Sequence, residues 1–376
     1  MSIASCHRSR VRGLRYRMSG RRPLLAIASM ACVGLLVTSA CSSKAPGTSA
    51  SVSGGSSSPD VSYFHGKTIT MIAPDNPGGS FDQWSRLVAP AMGKYLGATV
   101  NVENIPPGNT VVGQNTLAHA QPNGLTIGWL NAIEDVSFNI TSSGSGLSFN
   151  PADEDMIAAP GQNISVWVTN PSSSYSSWQS IVNSPQQVST LDVTSGTADL
   201  YLRALYGAYG VKSKIVTGYE SSKLLAAGFL RHDAPIAEEE FTVFADAISA
   251  GQARPVLLSN PASPSDPGTK SLLQVPSIAQ MAKEFPPKTA AEKAALQEVL
   301  TLVSLPGNIL SAPQGTPAGE LAALQAAAKY ALNTASVQQQ AETEGLTPGY
   351  FSGQACQSDY KAALAHIDLL KPYMSS

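Results

Sequence analysis

Residues 69–82 read ITMIAPDNPGGSFD, a short apolar run that breaks at a turn rich in proline and glycine. The run from Ile69 to Ala73 has the length of a strand. From Asp82 onward, apolar residues recur at helical spacing, at Trp84, Leu87, Val88 and Met92. The stretch therefore predicts a buried strand, a tight turn and a helix, in that order.

The turn is a candidate binding site for an anion. The N–H groups in the first turn of a helix are free, and two glycines let a guest approach the backbone closely. We expect ligand contacts from Asn76, Gly78, Gly79, Ser80 and Asp82. The alternative is an ordinary strand-to-helix turn in which Ser80 or Asp82 caps the helix. Asp82 could also receive an N–H or ammonium group of the ligand.

The first sixty residues are typical of an exported lipoprotein. Residues 1–40 contain seven arginines and no acidic residue, with an apolar run at 24–37 that ends in small residues before Cys41. This arrangement predicts a lipoprotein signal peptide and a lipid anchor at Cys41, although a plain signal peptide with an incidental cysteine and a start at Met18 stay open. Residues 41–60 predict a flexible Ser- and Gly-rich tether. We expect an extracytoplasmic protein anchored to a bacterial cell membrane.

Charge and cysteine content limit which partners and which cross-links the protein can have. Without the seven signal arginines, 17 of the 24 basic residues remain against 26 acidic ones, so the mature chain is near −9. This charge argues against nucleic acid as a partner, and an anionic ligand has to be held by local donors. After the signal and Cys41, only Cys356 is left, which predicts a folded body without a disulfide and a small apolar filler.

Strands and helices alternate through the body, which predicts an α/β protein with parallel sheets that bind ligands at the carboxyl ends of their strands. Asn109 and Thr110 open a helix at this edge and are weaker candidates for contact. A second turn follows a predicted strand at 189–193, and its candidates are Ser195, Gly196, Thr197 and Asp199. Plain helix capping by Ser195 or Thr197 is the alternative there.

Several motifs recur in the order of a known family. The loop at 74–82 is similar to a Pro-x-x-Pro-Gly-Gly-x-x-Asp pattern, and the strand at 100–104 to Val-x-Val-x-Asn followed by Pro-Gly. The turn at 120–124 is similar to Ala-x-Pro-Asp-Gly, with Asn123 in place of Asp. Further matches extend to residues 312–317. Over roughly 67 to 373, the chain resembles the substrate-binding receptors of tripartite tricarboxylate transporters, the Bug or TctC family.

The resemblance implies a two-lobed, type II periplasmic-binding-protein-like fold with a mostly parallel sheet in each lobe and a ligand cleft between them. Lobe 1 would comprise residues 61–162 and 259–376, and lobe 2 residues 163–258. The ligand's carboxylate would lie against backbone N–H groups of both turns. At the second turn the family has Gly-x-Gly-Ser followed by His-Leu, whereas this chain keeps only Gly196-Thr197, with Tyr201 near the position of the His.

Two further patterns bear on the ligand and on catalysis. Glu238 to Glu240 end a predicted strand of lobe 2, and either form a solvated face or place Glu239 in the cleft, where it would favour a ligand with a donor or a cation. Ser145 lies between two glycines, but the sequence around it lacks the strand and helix of a nucleophile elbow. The histidines are not spaced like the ligands of a metal site. We therefore expect no enzyme activity, no metal and no cofactor.

The sequence thus predicts a monomeric solute-binding lipoprotein. It would capture a small organic acid between two lobes and deliver it to the membrane permease subunits of a tripartite tricarboxylate-type transporter. The alternative is a surface-anchored sensory or interaction protein that keeps the same fold with a degraded or altered cleft.

Overall fold

Two mixed β-sheets with helices around them make up the body. The computed structural model describes residues 59–106, 110–138, 146–162, 164–193, 198–219, 221–262 and 269–373. The signal segment, most of the tether, Cys41, Asn109, Ser195, Gly196 and Thr197 lie outside the described residues. Among the described residues, no helix has the length and apolarity needed to cross a bilayer.

The first sheet is built from both ends of the body. Its strands in chain order are β1 (Thr68–Ala73), β2 (Thr99–Asn104), β3 (Thr126–Asn131), β4 (Asp155–Ala159), β10 (Asn308–Ala312) and β11 (Phe351–Ser352). Their spatial order is β11-β4-β10-β3-β1-β2. β1 pairs in parallel with β2 and β3, whereas β10 is antiparallel to β3 and β4, and β11 to β4. Four of the six strands therefore point the same way.

Helices of the first sheet are α1 (Ser80–Leu96), α2 (Val111–Ala118), α3 (Ala132–Phe138), α10 (Ala318–Leu332), α11 (Ala335–Thr343) and α12 (Gly353–Ala365). α1 packs against α10 and β2, and both α10 and α12 pack on β4. Side chains that alternate along β1 meet the apolar stripe of α1, so Ile69, Met71, Trp84 and Met92 are buried in one core. This core fixes the position of the β1–α1 turn.

The second sheet is formed by one continuous segment. Its strands are β5 (Ser165–Thr169), β6 (Val188–Val193), β7 (Ser213–Tyr219), β8 (Ile236–Glu240) and β9 (Arg254–Leu258), in the spatial order β7-β6-β8-β5-β9. β6 is parallel to β7 and β8, and β5 is antiparallel to β8 and β9. The helices are α4 (Trp178–Val182), α5 (Ala198–Ala208), α6 (Ser222–Leu230) and α7 (Phe241–Ser249).

After β9 the chain returns towards the first sheet through α8 (Ile278–Glu284) and α9 (Ala290–Ser304). α9 packs against both α5 and α12, so it contacts helices associated with each sheet. β4 of the first sheet is followed in the chain by β5 of the second, and the chain returns to the first sheet after Leu258. The lobe boundaries placed on the sequence stay predictions.

Two local predictions have clear outcomes. Thr289 and Glu292, three residues apart, predict a capping box at the start of a helix. It is present in α9, because Thr289 Oγ1 accepts the N–H of Glu292 and Glu292 Oε2 accepts the N–H of Thr289. Cys356 is buried, as expected for a small apolar filler, and burial raises the pKa of its thiol to about 12.

Candidate functional site

The carboxyl ends of β1, β2 and β3 meet at one edge of the first sheet. Ala73 and Asn104, the last residues of β1 and β2, are directly paired, and the N–H of Ile105 donates to Ala73 O at 2.9 Å. The β1–α1 turn therefore lies beside the segment that leads into α2. Ligands of parallel α/β sheets bind at this kind of edge.

The β1–α1 turn has the glycine conformation that its sequence requires. Gly78 has a φ of +88°, a backbone conformation that residues with a side chain rarely adopt, and Gly79 is the N-cap of α1. Asn76 and Gly78 are exposed, whereas Gly79 and Ser80 are half-buried. The alternative in which Ser80 or Asp82 is the N-cap does not hold, because Gly79 has that position and α1 already begins at Ser80.

Asp82 is buried in a network made by the chain itself. Its carboxylate accepts the N–H of Gly78 at 2.8 Å and the amide of Asn104 at 2.9 Å. Arg86, one turn further along α1, binds both oxygens of Asp82: its Nη2 lies 2.7 Å from Oδ1, and its Nε donates to Oδ2 at 3.0 Å. Burial raises the pKa of Asp82, but the hydrogen bonds from Arg86, Gly78 and Asn104 together outweigh it and leave the pKa below its ordinary value. Asp82 thus stabilises the β1–α1 turn by linking Gly78 to β2 through Asn104.

The position at the start of α1 that was expected to hold an anion is occupied by Asp75. Its Oδ2 accepts the N–H of Phe81 at 3.0 Å. A Cβ added to Gly79 would lie only 2.1 Å from this oxygen. Gly79 lets a group approach its backbone closely, and here that group is the carboxylate of Asp75 from the same loop. Burial, more than the repulsion from Asp82, raises the pKa of Asp75 to about 6.

Further polar side chains continue along the edge. Asn308, at the start of β10, donates to Ser80 Oγ at 3.4 Å and pairs with Asn131 at the end of β3. Thr110 is buried in a left-handed conformation with φ +70° and accepts a bond from Gln114 at 2.9 Å. The structure thus brings Ser80, Asp82 and Thr110 to one edge.

At the second sheet, the parallel strands β6 and β8 end at a common edge. Glu238, at 1% exposure, is buried on the face that carries Trp167, so the interpretation of the glutamates as a solvated face is wrong there. Glu239 is half-buried, its Oε1 accepts the N–H of Glu240 at 3.0 Å, and burial raises its pKa. Asp199 lies in the first turn of α5, where only the backbone is described.

Three polar residues of the first edge, Asp75, Arg86 and Asn104, were not among the candidates predicted from the sequence. Asn104 ends the quoted Val-x-Val-x-Asn strand, and its amide also donates to Asp75 O at 3.3 Å. Its place at the carboxyl end of a parallel strand was the signal that could have found it. Among the described residues, no group of three metal-ligating side chains is gathered in one place.

Comparison with known proteins adds to this geometry. No family model matches the chain. A UPF0065 protein of Bordetella pertussis is 38% identical over 71 residues, which are 19% of this chain and 22% of that protein. The alignment therefore spans about a fifth of the relative's length.

Solved structures match over most of the body. A TctC solute-binding protein from Polaromonas superposes with a TM-score of 0.64 at 16% identity, covering 81% of this chain and 98% of that one. The chain has the TctC fold. MatC from Rhodopseudomonas palustris, solved with bound malate, matches with a TM-score of 0.56 at 18% identity over 82% of this chain and 99% of its own. An R. palustris protein solved with adipate matches with a TM-score of 0.60 at 17% identity, and the match covers 82% of this chain and 97% of that protein.

The TctC fold confirms the predicted fold class, a two-lobed α/β architecture with a sheet in each lobe. It also confirms, at the level of fold, the resemblance found in the motifs. In such a fold the edge that carries Asp75, Asp82 and Asn104 is a candidate half of the ligand cleft. The identity of the ligand does not follow from the fold.

Proposed function

We propose that this chain is an extracytoplasmic solute-binding lipoprotein that captures a small organic acid between its two lobes and delivers it to a tripartite tricarboxylate-type permease. It would bind and release its ligand without making or breaking a bond. The observation that carries the proposal is the TctC fold, which covers 81–82% of the chain and 97% or more of solute-binding proteins with that fold.

The ligand class is supported by the neighbours and by the first edge. Two of these neighbours hold adipate and malate, which are small carboxylic acids. The first edge of this chain carries the polar side chains of Ser80 and Asn308, which suit hydroxyl and carboxyl groups, while the N–H groups of Gly78 and Phe81 are bonded to side chains of the turn itself. Closure about the two crossings between the sheets would exclude water from the ligand.

The membrane anchor is proposed from the sequence alone. Acylation of Cys41 would hold the body near a membrane through the tether at 41–60. Feeding cells a labelled fatty acid tests this step. We expect the label on the wild-type protein and on Cys32→Ser, and its loss in Cys41→Ser. Label retained in Cys41→Ser would contradict the anchor and leave the binding function untouched.

A second function is favoured by one observation. Asp75 occupies the start of α1, where a ligand carboxylate would bind, and this agrees with a sensory or interaction protein that keeps the fold with an altered cleft.

Thermal unfolding of the full chain with a set of dicarboxylates, tricarboxylates, aromatic acids and amino acids separates the two functions. At one hundred times its Kd, a ligand stabilises the folded state by about 2.7 kcal/mol. A receptor should be stabilised by at least one compound. The absence of any shift would favour the interaction protein.

A further inference from the structure

The chain supplies its own anion to the first turn of α1. Asp75 Oδ2 accepts the N–H of Phe81 at 3.0 Å, and it lies so close to Gly79 that a Cβ there would meet it at 2.1 Å. In a solute receptor, a ligand carboxylate would use these same donors. A ligand carboxylate and Asp75 cannot occupy this position together.

We propose that Asp75 is the specificity-determining residue at this end of the cleft, which admits a cationic or neutral donor group of the ligand and excludes a carboxylate. The inference rests on the proposed function and narrows its ligand class. The ligand would be a small organic acid with one carboxylate and, at the other end, an amino group or a comparable donor.

The charges around the turn act in the same direction. Asp82 places a second carboxylate beside Asp75. Arg86 is the cation of this network, but its guanidinium is already bonded to Asp82 and to Asn104 Oδ1. The turn therefore holds two acidic groups against one basic group, and like charges at short range oppose binding of a further anion.

The second oxygen of Asp75 points to a donor as the preferred guest. Oδ1 is buried and has no hydrogen-bond partner among the described residues. An unpaired buried carboxylate oxygen carries a desolvation cost that a donor from the ligand would relieve. Asp75 as a whole is half-buried and Asn76, Pro77 and Gly78, which follow it, are exposed, so this end of the loop borders solvent although Oδ1 itself does not.

The exclusion should operate at neutral pH. Burial raises the pKa of Asp75 to about 6, so most molecules carry the charge at pH 7.5. A dicarboxylate binding at pH 7.5 would then have to displace an ionised side chain from α1 and also meet the charge of Asp82.

Pairs of ligands that differ only at one end test the proposal. Adipate is compared with 6-aminohexanoate, glutarate with 5-aminopentanoate, and terephthalate with 4-(aminomethyl)benzoate, by calorimetric titration of the full chain at pH 7.5. The variants are Asp75→Asn, which keeps an acceptor for Phe81, and Asp75→Ala, which vacates the position. Glu292→Gln is the matched control, because it neutralises a carboxylate that caps α9 instead. Circular dichroism checks that each variant is folded.

We expect the wild type and Glu292→Gln to bind the amino acid of a pair more tightly than the dicarboxylate. In Asp75→Asn and Asp75→Ala, the Kd of the dicarboxylate divided by the Kd of the amino acid should fall by about tenfold or more, because the dicarboxylate then binds relatively more tightly. A wild type that prefers the dicarboxylate, or a ratio that Asp75→Asn and Asp75→Ala leave unchanged, would overturn the inference and leave the receptor function standing. If no protein binds a member of any pair, the inference fails, whereas the receptor function fails only if the wider set of acids in the thermal screen also gives no shift.

Discussion

The position of Asp75 can be tested by changing the glycine beside it. Gly79 has φ −75° and ψ 170°, which alanine adopts without strain. However, a Cβ at this residue would lie 2.1 Å from Asp75 Oδ2 and 2.8 Å from its Cγ. Alanine fits the backbone conformation at Gly79, but its Cβ would clash with the carboxylate of Asp75. Gly79→Ala should therefore push this carboxylate away from α1.

The size of the effect follows from two opposing contributions. Losing the side chain that accepts an N–H in the first turn of a helix costs about 0.5–2 kcal/mol. Replacing glycine by alanine stabilises the folded state by about 0.4–1 kcal/mol when the backbone is compatible. We expect Gly79→Ala to lower the free energy of unfolding by about 1 kcal/mol in the wild type. In Asp75→Ala it should instead be neutral or stabilising by about 0.5 kcal/mol, since only a contact of 3.2 Å with the backbone oxygen of Asn76 is left.

Urea unfolding followed by tryptophan fluorescence measures this coupling, since all four tryptophans are buried and Trp84 lies in α1 itself. A double-mutant cycle of Gly79→Ala and Asp75→Ala should give an interaction free energy of about 1.5 kcal/mol. Gly319→Ala is the control, because its Cβ meets open space in α10, so it should have the same effect in both backgrounds. An equal cost of Gly79→Ala with and without Asp75 would refute the placement of this carboxylate.

Four further outcomes are expected. Gly353→Ala should lower the free energy of unfolding by about 3 kcal/mol in urea, because its Cβ would lie 1.9 Å from a backbone oxygen of β4 that cannot move away cheaply. Asp82→Asn should cost about 2 kcal/mol in the same assay, because it leaves a buried hydrogen-bond network without its charge. The melting temperature should fall between pH 5 and 7.5, because folding raises the pKa of Asp75 to about 6 and that of Glu154 to about 7, so stability present at low pH is lost as pH rises through these values. Cys356 should resist alkylation at pH 8 until the protein is unfolded, as peptide mass spectrometry would record, because burial raises its pKa to about 12.

Each of these outcomes can fail in a specific way. A wild-type urea unfolding curve for Gly353→Ala would mean that α12 and β4 do not approach as closely as described. An unchanged stability of Asp82→Asn would place its carboxylate in solvent. A melting temperature that rises between pH 5 and 7.5 would reverse the sign expected for raised carboxyl pKa values. Rapid labelling of Cys356 in the native protein would contradict its burial.

Much of the fold could be read from short-range patterns. The strand, turn and helix at 69–96 follow from an apolar run, two glycines and helical spacing, all within one stretch of sequence. The capping box of α9 is equally local, because Thr289 and Glu292 are three residues apart. Patterns of this kind depend on contacts within one turn of the chain, so the sequence alone contains them.

Predictions failed where a distant partner decides. The pair Thr316-Pro317 predicts a helix with Thr316 as its N-cap. In the structure the hydroxyl of Thr316 instead donates to Pro313 O and its N–H donates to Asp155, so Pro317 takes the N-cap position of α10. Asp155 lies about 160 residues earlier in the chain, and no local pattern announces it. Glu238 is likewise buried because β8 lies inside the second sheet between β6 and β5.

The candidate site shows the same division. The glycines at 78 and 79 predicted a close approach of an anion to the backbone, and the structure has that approach. The identity of the anion could not be predicted, because local sequence does not distinguish a ligand carboxylate from one that the loop provides. Whether Asp75 folds back onto α1 depends on the conformation of the whole turn, including its hydrogen bond from Asn104 of the neighbouring strand.

We expect this chain to be a receptor for a small organic acid. Calorimetric titration of the full chain with the compound that stabilises it most in the thermal screen measures this binding. A receptor should give a saturable heat with a stoichiometry of one ligand per chain. The absence of a saturable heat with every acid in the screen would contradict it.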